Sequence, residues 1–325
     1  MKINLIGKNI LITGATGFIG YHLTKKLLEQ NCNVIAVGRN FKLLNRLPKN
    51  KLLIKVSGDL AKDDFLINLF SNYKIDVIFH LAAKVHDRLE KDVKQYRLIN
   101  VNLTEKLAEL ALKNNVEKLI FFSTVSVYGD IEGRTIDETE ISTPSTTYGK
   151  TKLEAENILI KAYQKYNFPI IILRLTSVYG TYDHGNLQLL TKLIRKHISA
   201  MVGKGKNRKT MVYVEDVIGA AMLAAIRDEA VGEIFNIGEN FYTFSKILDT
   251  LEKILDVSTL RFKIPLSLGK VIEKQNINLT LSKLIKTIGS DNCYSGDKAK
   301  KILGFKPLYN LEQGLQESVE WYKNN

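Results

Sequence analysis

The chain has 325 residues, 45% of them hydrophobic: a normal globular core in one large domain or two modest ones, with no apolar run near the roughly 18 residues of a transmembrane segment. Cys32 and Cys293 are too few and too far apart for a disulfide framework or a metal site, and the stretch from Met1 to Lys8 lacks a secretory signal, so the cytosol and no metal are expected. The formal net charge of +13 raises nucleic acid or an acidic membrane as partners, but lysines scattered without a dense block or interleaved aromatics read as a solvated surface, with no specific nucleic-acid partner.

The first predicted element is a strand over 10–13. It runs into Thr13-Gly14-Ala15-Thr16-Gly17-Phe18-Ile19-Gly20 and then a helical pattern over 17–30. Glycines at such a junction let the backbone turn tightly, approach a pyrophosphate closely and pack the helix on its strand. The helix N-terminus meanwhile offers free N–H donors to phosphate oxygens. The spacing, G-x-x-G-x-x-G, differs by one interval from the G-x-G-x-x-G fingerprint and predicts a dinucleotide cradle.

The second strand, 34–37, ends in Gly38-Arg39-Asn40, where an acidic residue normally accepts from the adenosine ribose hydroxyls. Arg39 there reads as a partner for a 2′-phosphate, worth about 10- to 100-fold in favour of NADP(H). The competing reading is an exposed arginine stacking on adenine with either cofactor. The cofactor is therefore expected to be NAD or NADP, leaning to NADP.

Strand-like runs at 53–56, 77–81, 119–123 and 170–175 then alternate with helical patterns at 63–73, 103–114 and 148–166. This order predicts an α/β fold, a Rossmann-type doubly wound, mostly parallel sheet whose ligands gather outside the carboxyl ends of the strands. After Gly180 the pattern becomes irregular, with a helix near 187–196, a strand at 211–214, a helix at 216–227 and a strand at 234–237. The expected division is an NAD(P)-binding domain over 1–180, with a returning segment near 211–238. Residues 181–325 would form mainly a smaller C-terminal substrate-binding lobe, less regular than the first. The stretch from Arg261 to Lys286 mixes basic and apolar residues, a pattern open to contact with a membrane or a partner, but it reads rather as part of that lobe.

Tyr148-Gly149-Lys150-Thr151-Lys152 opens a predicted helix, and its Tyr and Lys, four residues apart, share a helical face. The same interval recurs at Tyr21 and Lys25, Tyr242 and Lys246, and Tyr294 and Lys298, so spacing alone selects nothing. Position does. Only the copy at Tyr148 follows the carboxyl end of a strand carrying hydroxyl residues, Phe122-Ser123-Thr124-Val125-Ser126-Val127-Tyr128-Gly129.

Taken with Gly58-Asp59-Leu60, His80-Leu81-Ala82-Ala83, Asn100-Val101-Asn102, Leu173-Arg174-Leu175, Val178-Tyr179-Gly180, Val212-Tyr213-Val214-Glu215-Asp216 and Leu303-Gly304-Phe305-Lys306-Pro307, these motifs fall in an order that resembles one family. The chain is similar, over nearly its full length, to the extended short-chain dehydrogenases/reductases of the nucleotide-sugar epimerase and reductase group. The resemblance implies that Gly14, Thr16, Gly17, Phe18, Ile19, Gly20, Arg39, Asp59, Leu60 and Ala82, with Tyr148 and Lys152, hold the cofactor. Thr124, Tyr148 and Lys152 would be the catalytic set. Asp59 would accept from the adenine amine, although a strand-end Asp also caps turns.

In that implied chemistry Tyr148 exchanges the proton of a sugar hydroxyl while the cofactor exchanges the hydride. Thr124 hydrogen-bonds the reacting oxygen, and Lys152 holds the nicotinamide ribose and, with the oxidised nicotinamide, favours the phenolate. His80 reads as a packed strand-end histidine, and Asn100 as either a helix-interface residue or one orienting a water. Arg208 and Lys209, just before the strand at 211–214, would meet the diphosphate. Lysine stands where arginine is usual, giving a point charge without the bidentate fork.

The expected activity is therefore that of an NAD(P)-dependent nucleotide-sugar epimerase or 4-ketoreductase acting at C4 of a nucleoside-diphosphate sugar, as a homodimer through the helices near 103–114 and 148–166. The alternatives are a reductase of a non-nucleotide ketone such as a steroid or flavonoid, and a non-catalytic NAD(P)-sensing protein. The latter would need the glycines but not Thr124, Tyr148 and Lys152.

Overall fold

A computed structural model describes residues 5–85, 92–131, 133–238, 240–265 and 289–324. His86 and most of the stretch from Arg261 to Lys286 lie outside the described residues. Among those residues no helix is long and apolar enough to cross a membrane.

The central element is a seven-stranded sheet in which every pairing is parallel. Its strands are β1 (Asn9–Thr13), β2 (Asn33–Gly38), β3 (Leu53–Ser57), β4 (Val77–His80), β5 (Lys118–Thr124), β7 (Ile170–Leu175) and β11 (Ile234–Ile237). They lie in the order β11-β7-β5-β4-β1-β2-β3. The helices between them are α1 (Phe18–Glu29), α2 (Asp63–Asn72), α3 (Val93–Arg97), α4 (Leu103–Lys113), α5 (Thr147–Tyr166) and α7 (Val214–Ile226). The apolar runs are continuous rather than alternating because helices cover both faces. Ile10, Ile12, Val34 and Ala36 pack on the side of α7 residues Val217, Ala221 and Ala224, while Leu11, Ile35 and Val37 face Leu66 of α2 and Leu107 of α4. The order in which strands are added reverses between β1 and β4, so a crevice opens beyond their carboxyl ends.

The final third is more regular than the sequence reading expects. Short strand β6 (Thr135–Ile136) pairs with β14 (Cys293–Tyr294). A three-stranded sheet joins β8 (Ser177–Tyr179), β10 (Arg208–Tyr213) and β12 (Asn240–Thr243), and β9 (Ile198–Val202) pairs with β13 (Leu260–Ile264). Around them stand α6 (Asn186–Ile194), α8 (Phe244–Leu255) and α9 (Leu311–Asn324). Phe244, Ile247, Leu248 and Leu251 of α8 share one apolar cluster with Leu311, Leu315 and Val319 of α9. The α8 residues have i, i+3, i+4, i+7 spacing and those of α9 recur every four residues, so each helix buries one apolar face, a pattern that the sequence reading left unassigned.

Two expected boundaries move. The strand placed at 211–214 begins at Arg208 and ends at Tyr213, because Val214 opens α7 with Glu215 and Asp216 in its first turn. Arg208 and Lys209 are therefore strand residues, not residues of the loop before it. The outward faces of α4 and α5 are also more polar than an isologous apolar contact requires. Glu105 and Glu109 are exposed there, and Arg97 pairs with Glu154 at 2.5 Å.

Candidate functional site

A cleft of about 830 Å³ lies at the sheet's reversal point, between the sheet and the elements that follow β7. Its floor is the turn from β1 to α1. Gly14 has φ +75°, and a Cβ on it would stand 2.8 Å from the Ala82 nitrogen. On Gly20 a Cβ would stand 2.2 Å from the Gly14 carbonyl oxygen, so helix and strand meet only because both residues lack one. No side chain caps α1 at Gly17, and its first turn carries no acidic residue. The first N–H groups of α1 therefore face the cleft at the positive end of the helix dipole, a fit for a pyrophosphate.

Thr16, Phe18, Ile19, Arg39, Asp59, Leu60 and Ala82 line the same cleft. Arg39 is exposed at the end of β2. Asp59 also accepts from the Ala61 backbone N–H at 3.1 Å, so it shapes its own turn while facing the cleft. These placements fit the adenosine half of a nicotinamide dinucleotide. The other end is lined by Thr124, Ser126 and Tyr148.

Three connections hold that reacting end. The Gly149 N–H donates to the Thr146 hydroxyl at 3.0 Å, which caps α5 directly beside Tyr148. The Ser126 N–H donates to the Thr124 hydroxyl at 3.1 Å, fixing the turn after β5, and a side-chain hydrogen bond joins Thr124 to Tyr148. Lys152 is buried, donating to the Phe122 carbonyl at 2.7 Å with its ammonium 3.7 Å from the Phe121 ring centroid. Lys152 itself does not line the cleft.

Burial decides the electrostatics here. It pushes the Tyr148 phenol up to about 12, aided by the Tyr96 phenol and opposed by the Thr124 hydroxyl. Burial pushes Lys152 down to about 7, opposed by the Glu156 carboxylate. The sequence reading expects Lys152 to favour the phenolate directly. In this structure its ammonium is held by Phe122 instead, so the protein alone leaves Tyr148 protonated at neutral pH. A positive group next to the phenol would be needed to draw the proton off.

Glu156, one turn beyond Lys152, was not singled out from the sequence. Fully buried, it accepts from the Ser123 hydroxyl and from Arg174 at 2.7 Å. The pair anchors the residue before Thr124. Its spacing from Lys152 is the only sequence signal that marks it.

His80 is a packed histidine, pushed down to about 3 by burial and by the charge of Lys152. The Ala82 N–H donates to the Thr13 hydroxyl, which stands 2.7 Å from His80 Nδ1, while Nε2 lies 2.9 Å from the Thr104 hydroxyl. Since Thr104 donates to the Asn100 carbonyl, the ring carries its proton on Nε2. Asn100 takes the interface role. Its amide donates to the Lys84 carbonyl and the Thr151 hydroxyl, and its oxygen accepts from the Lys84 N–H at 2.8 Å, tying the segment after β4 to α5.

On the far wall stand Asp183, Gly185, Asn186, Leu187 and Lys209. Arg208 does not line the cleft. Its guanidinium pairs with Asp291 at 3.1 Å. Lys209 is buried, donates to the Ser290 carbonyl at 2.6 Å and is pushed down to about 8 by burial, with Asp291 and Cys293 opposing. Of the two expected phosphate contacts, the structure brings only the lysine to the cleft. Asn186 and Asp183 belong to a segment that sequence reasoning left as irregular.

The sequence model described as the NAD dependent epimerase/dehydratase family matches residues 10–238. The chain is 28% identical to the dTDP-D-glucose 4,6-dehydratase of Mus musculus, with 98% of this chain and 89% of the relative covered. It is 26% identical to the UDP-glucose 4-epimerase of Vibrio cholerae, with 96% and 95% covered. Among solved structures it is similar to a Bacillus cereus UDP-glucuronic acid 4-epimerase in complex with UDP-glucuronic acid and NAD, with TM-score 0.82, 26% identity, and 97% of this chain and 99% of the other covered. It is equally similar, with TM-score 0.82, 27% identity and the same coverage, to a Thermotoga maritima UDP-glucose 4-epimerase with UDP-glucose.

Proposed function

Because this chain belongs to the NAD dependent epimerase/dehydratase family, we propose that it epimerises a nucleoside-diphosphate sugar at C4, with Tyr148 as the acid/base on the reacting hydroxyl. The observation that carries this reading is the placement of Tyr148 and Thr124 on the cleft wall, hydrogen-bonded to each other, beyond a dinucleotide cradle. A nicotinamide bound there would supply reversible hydride exchange with the sugar carbon. Tyr148 would move the hydroxyl proton, Thr124 would hold the sugar oxygen, and Lys152 would hold the ribose. Lys209 would meet the diphosphate as a buried point charge.

The chemistry of the wall favours epimerisation over elimination of water. Elimination needs a proton donor for a leaving hydroxyl and a base for the neighbouring C–H. Among the described residues that line the cleft the carboxylates are Asp59, at the β3 turn, and Asp183, on the far wall. Beside Thr124 the chain places Val125 and Ser126.

A second reading, one-way reduction of a 4-keto sugar with NADPH, is favoured by Arg39 alone. A homodimer through α4 and α5 belongs to the same proposal. It would rest chiefly on polar contacts, with Leu98, 36% exposed just before α4, as an apolar anchor. To test the function, purified protein is incubated with UDP-glucose, UDP-glucuronic acid, dTDP-glucose and GDP-mannose while cofactor absorbance and sugar products are followed. Epimer formation without net cofactor turnover is expected. A keto-deoxy product would overturn epimerisation in favour of dehydration, and consumption of NADPH in favour of reduction.

A further inference from the structure

In the second turn of α1, His22 makes a contact that none of the chemistry above uses. Its ring is 4% exposed. Nδ1 lies 2.7 Å from the Glu215 carboxylate at the start of α7, and Nε2 lies 3.0 Å from the Thr181 carbonyl oxygen. Both partners are acceptors. Glu215 is held below the usual carboxylate range by the His22 hydrogen bond and by the nearby Lys25 and Lys26, against its burial. A neutral imidazole has one N–H, so it can satisfy only one of these two acceptors.

The segment that His22 grips is the far wall of the cleft. Thr181 lies two residues beyond the end of β8, and the next residues supply Asp183, Gly185 and Asn186 to the lining. Tyr182 is in the left-handed backbone region at φ +69°, a conformation that an aromatic residue adopts only when its surroundings impose it. Its ring is packed 4.6 Å from that of Tyr21, 5.2 Å from Trp321 and 5.7 Å beneath the Arg46 guanidinium. The other end of the grip is α1, whose first turn lines the cofactor side of the same cleft.

We propose that His22 is a positioning residue that, in its doubly protonated form, bridges Glu215 and the Thr181 carbonyl and so holds the substrate-side wall of the cleft on the cofactor-binding helix. The proposal rests on the functional reading above only for the identity of the ligand. When the ring loses one proton, Nδ1–H stays with Glu215 and Nε2 becomes an acceptor. The Thr181 hydroxyl, 3.3 Å from Nε2, is then the donor at hand among the described residues, and the carbonyl contact turns repulsive. The wall therefore loosens as pH rises, and affinity for a ligand that touches both walls falls.

The ionisable groups facing this ring come from several elements. On α1 itself these are Tyr21, with Lys25 and Lys26 beyond it, and on α7 there is Glu215. From the segment after β8 comes Tyr182, with Arg46 over it. Tyr213 and Tyr309 interact with Glu215.

Two measurements on the full chain test this. The imidazole nitrogens of His22, assigned by comparison with His22→Gln, are followed by long-range nitrogen–proton correlation from pH 6 to 9. Two protonated nitrogens at pH 6 and an Nδ1–H tautomer at pH 9 are expected. A ring that is neutral at pH 6, or an Nε2–H tautomer at pH 9, would overturn the proposal. In parallel, UDP-glucose binding to the NAD-loaded protein is measured by calorimetry. Wild-type affinity should fall by roughly three- to tenfold from pH 6 to 9, the range of one net hydrogen bond. His22→Gln should bind weakly at both values, without that pH dependence, while its kcat at saturating substrate stays close to wild type. A His22→Gln protein that keeps the wild-type pH dependence would sink the idea. If the wild type binds no nucleotide sugar, the functional reading fails and the imidazole signals decide this proposal alone.

Discussion

Gly149 and Ser126 stand so close that a Cβ on the glycine would lie 2.6 Å from the serine's carbonyl oxygen, with Pro144 Cβ at 3.0 Å on the same side. This contact sets the distance between α5, which carries Tyr148, and the turn that carries Thr124. Gly149→Ala must push the helix off that turn, at a cost of about 1–3 kcal/mol for overpacking. Stability should drop by that amount in denaturant titrations. Turnover should fall by at least ~10-fold, since a 1 Å misplacement costs up to about 10², with cofactor affinity little changed. A stable, fully active alanine variant would show that the helix has room to move.

Tyr148→Phe keeps the ring and removes the proton-transfer group. Its turnover should fall by about 10²- to 10⁴-fold with cofactor affinity near wild type, read from steady-state rates and a cofactor titration. Lys152→Met should lower both quantities. A Lys152 variant with normal cofactor affinity would reduce the lysine to an electrostatic neighbour of the site.

Acid stability gives a third check through His80. Its folded pKa is depressed, to about 3, so as pH falls the unfolded chain takes up the proton first. The stability that His80 contributes is present above the unfolded-state value of ~6.5 and is lost as pH falls from there towards 3. His80→Gln should therefore flatten the pH dependence of unfolding free energy by up to about 1.4 kcal/mol per pH unit within that window. An unchanged acid slope in the variant would mean that His80 is not the titrating group.

Arg39 separates the two cofactors. Arg39→Ala should leave NADH affinity nearly intact and weaken NADPH by about 10-fold or more if the guanidinium meets a 2′-phosphate. Equal wild-type affinity for the two, unchanged in the variant, would remove the phosphate role and strengthen the epimerase reading. Sedimentation at micromolar concentration addresses the homodimer. A Leu98→Asp variant should then shift towards monomer.

The first two-thirds of the fold was legible because parallel strands buried on both faces are written as unbroken apolar runs. The run at 170–175 coincides with Ile170–Leu175, and the one at 234–237 with Ile234–Ile237. The cradle was legible because its glycines are demanded by contacts between adjacent segments, Gly20 against Gly14. What escaped were pairings of distant residues on short strands. Ser177–Tyr179 is three residues long and owes its conformation to Met211–Tyr213, some thirty positions on. The same applies to charge: the neighbour of Lys152 on a helical face could be read as Tyr148, but its actual acceptor, the Phe122 carbonyl, is a backbone atom from another element. Arg208 was singled out as a cleft residue, and its ion pair with Asp291, far along the chain, turned it elsewhere.

The seventh strand, Ile234–Ile237, docks against Ile170–Leu175 only after the chain has left the sheet and built β8, α6, β9, β10 and α7. During synthesis β7 therefore emerges as an open edge of six buried-type residues, Ile-Ile-Ile-Leu-Arg-Leu, with nothing to pair on one side until some sixty more residues have been made. An unpaired apolar edge is a template for other nascent chains. Cells producing this protein in excess should accumulate aggregates of incomplete chains ending before residue 234, and slowing translation between 175 and 234 should worsen them.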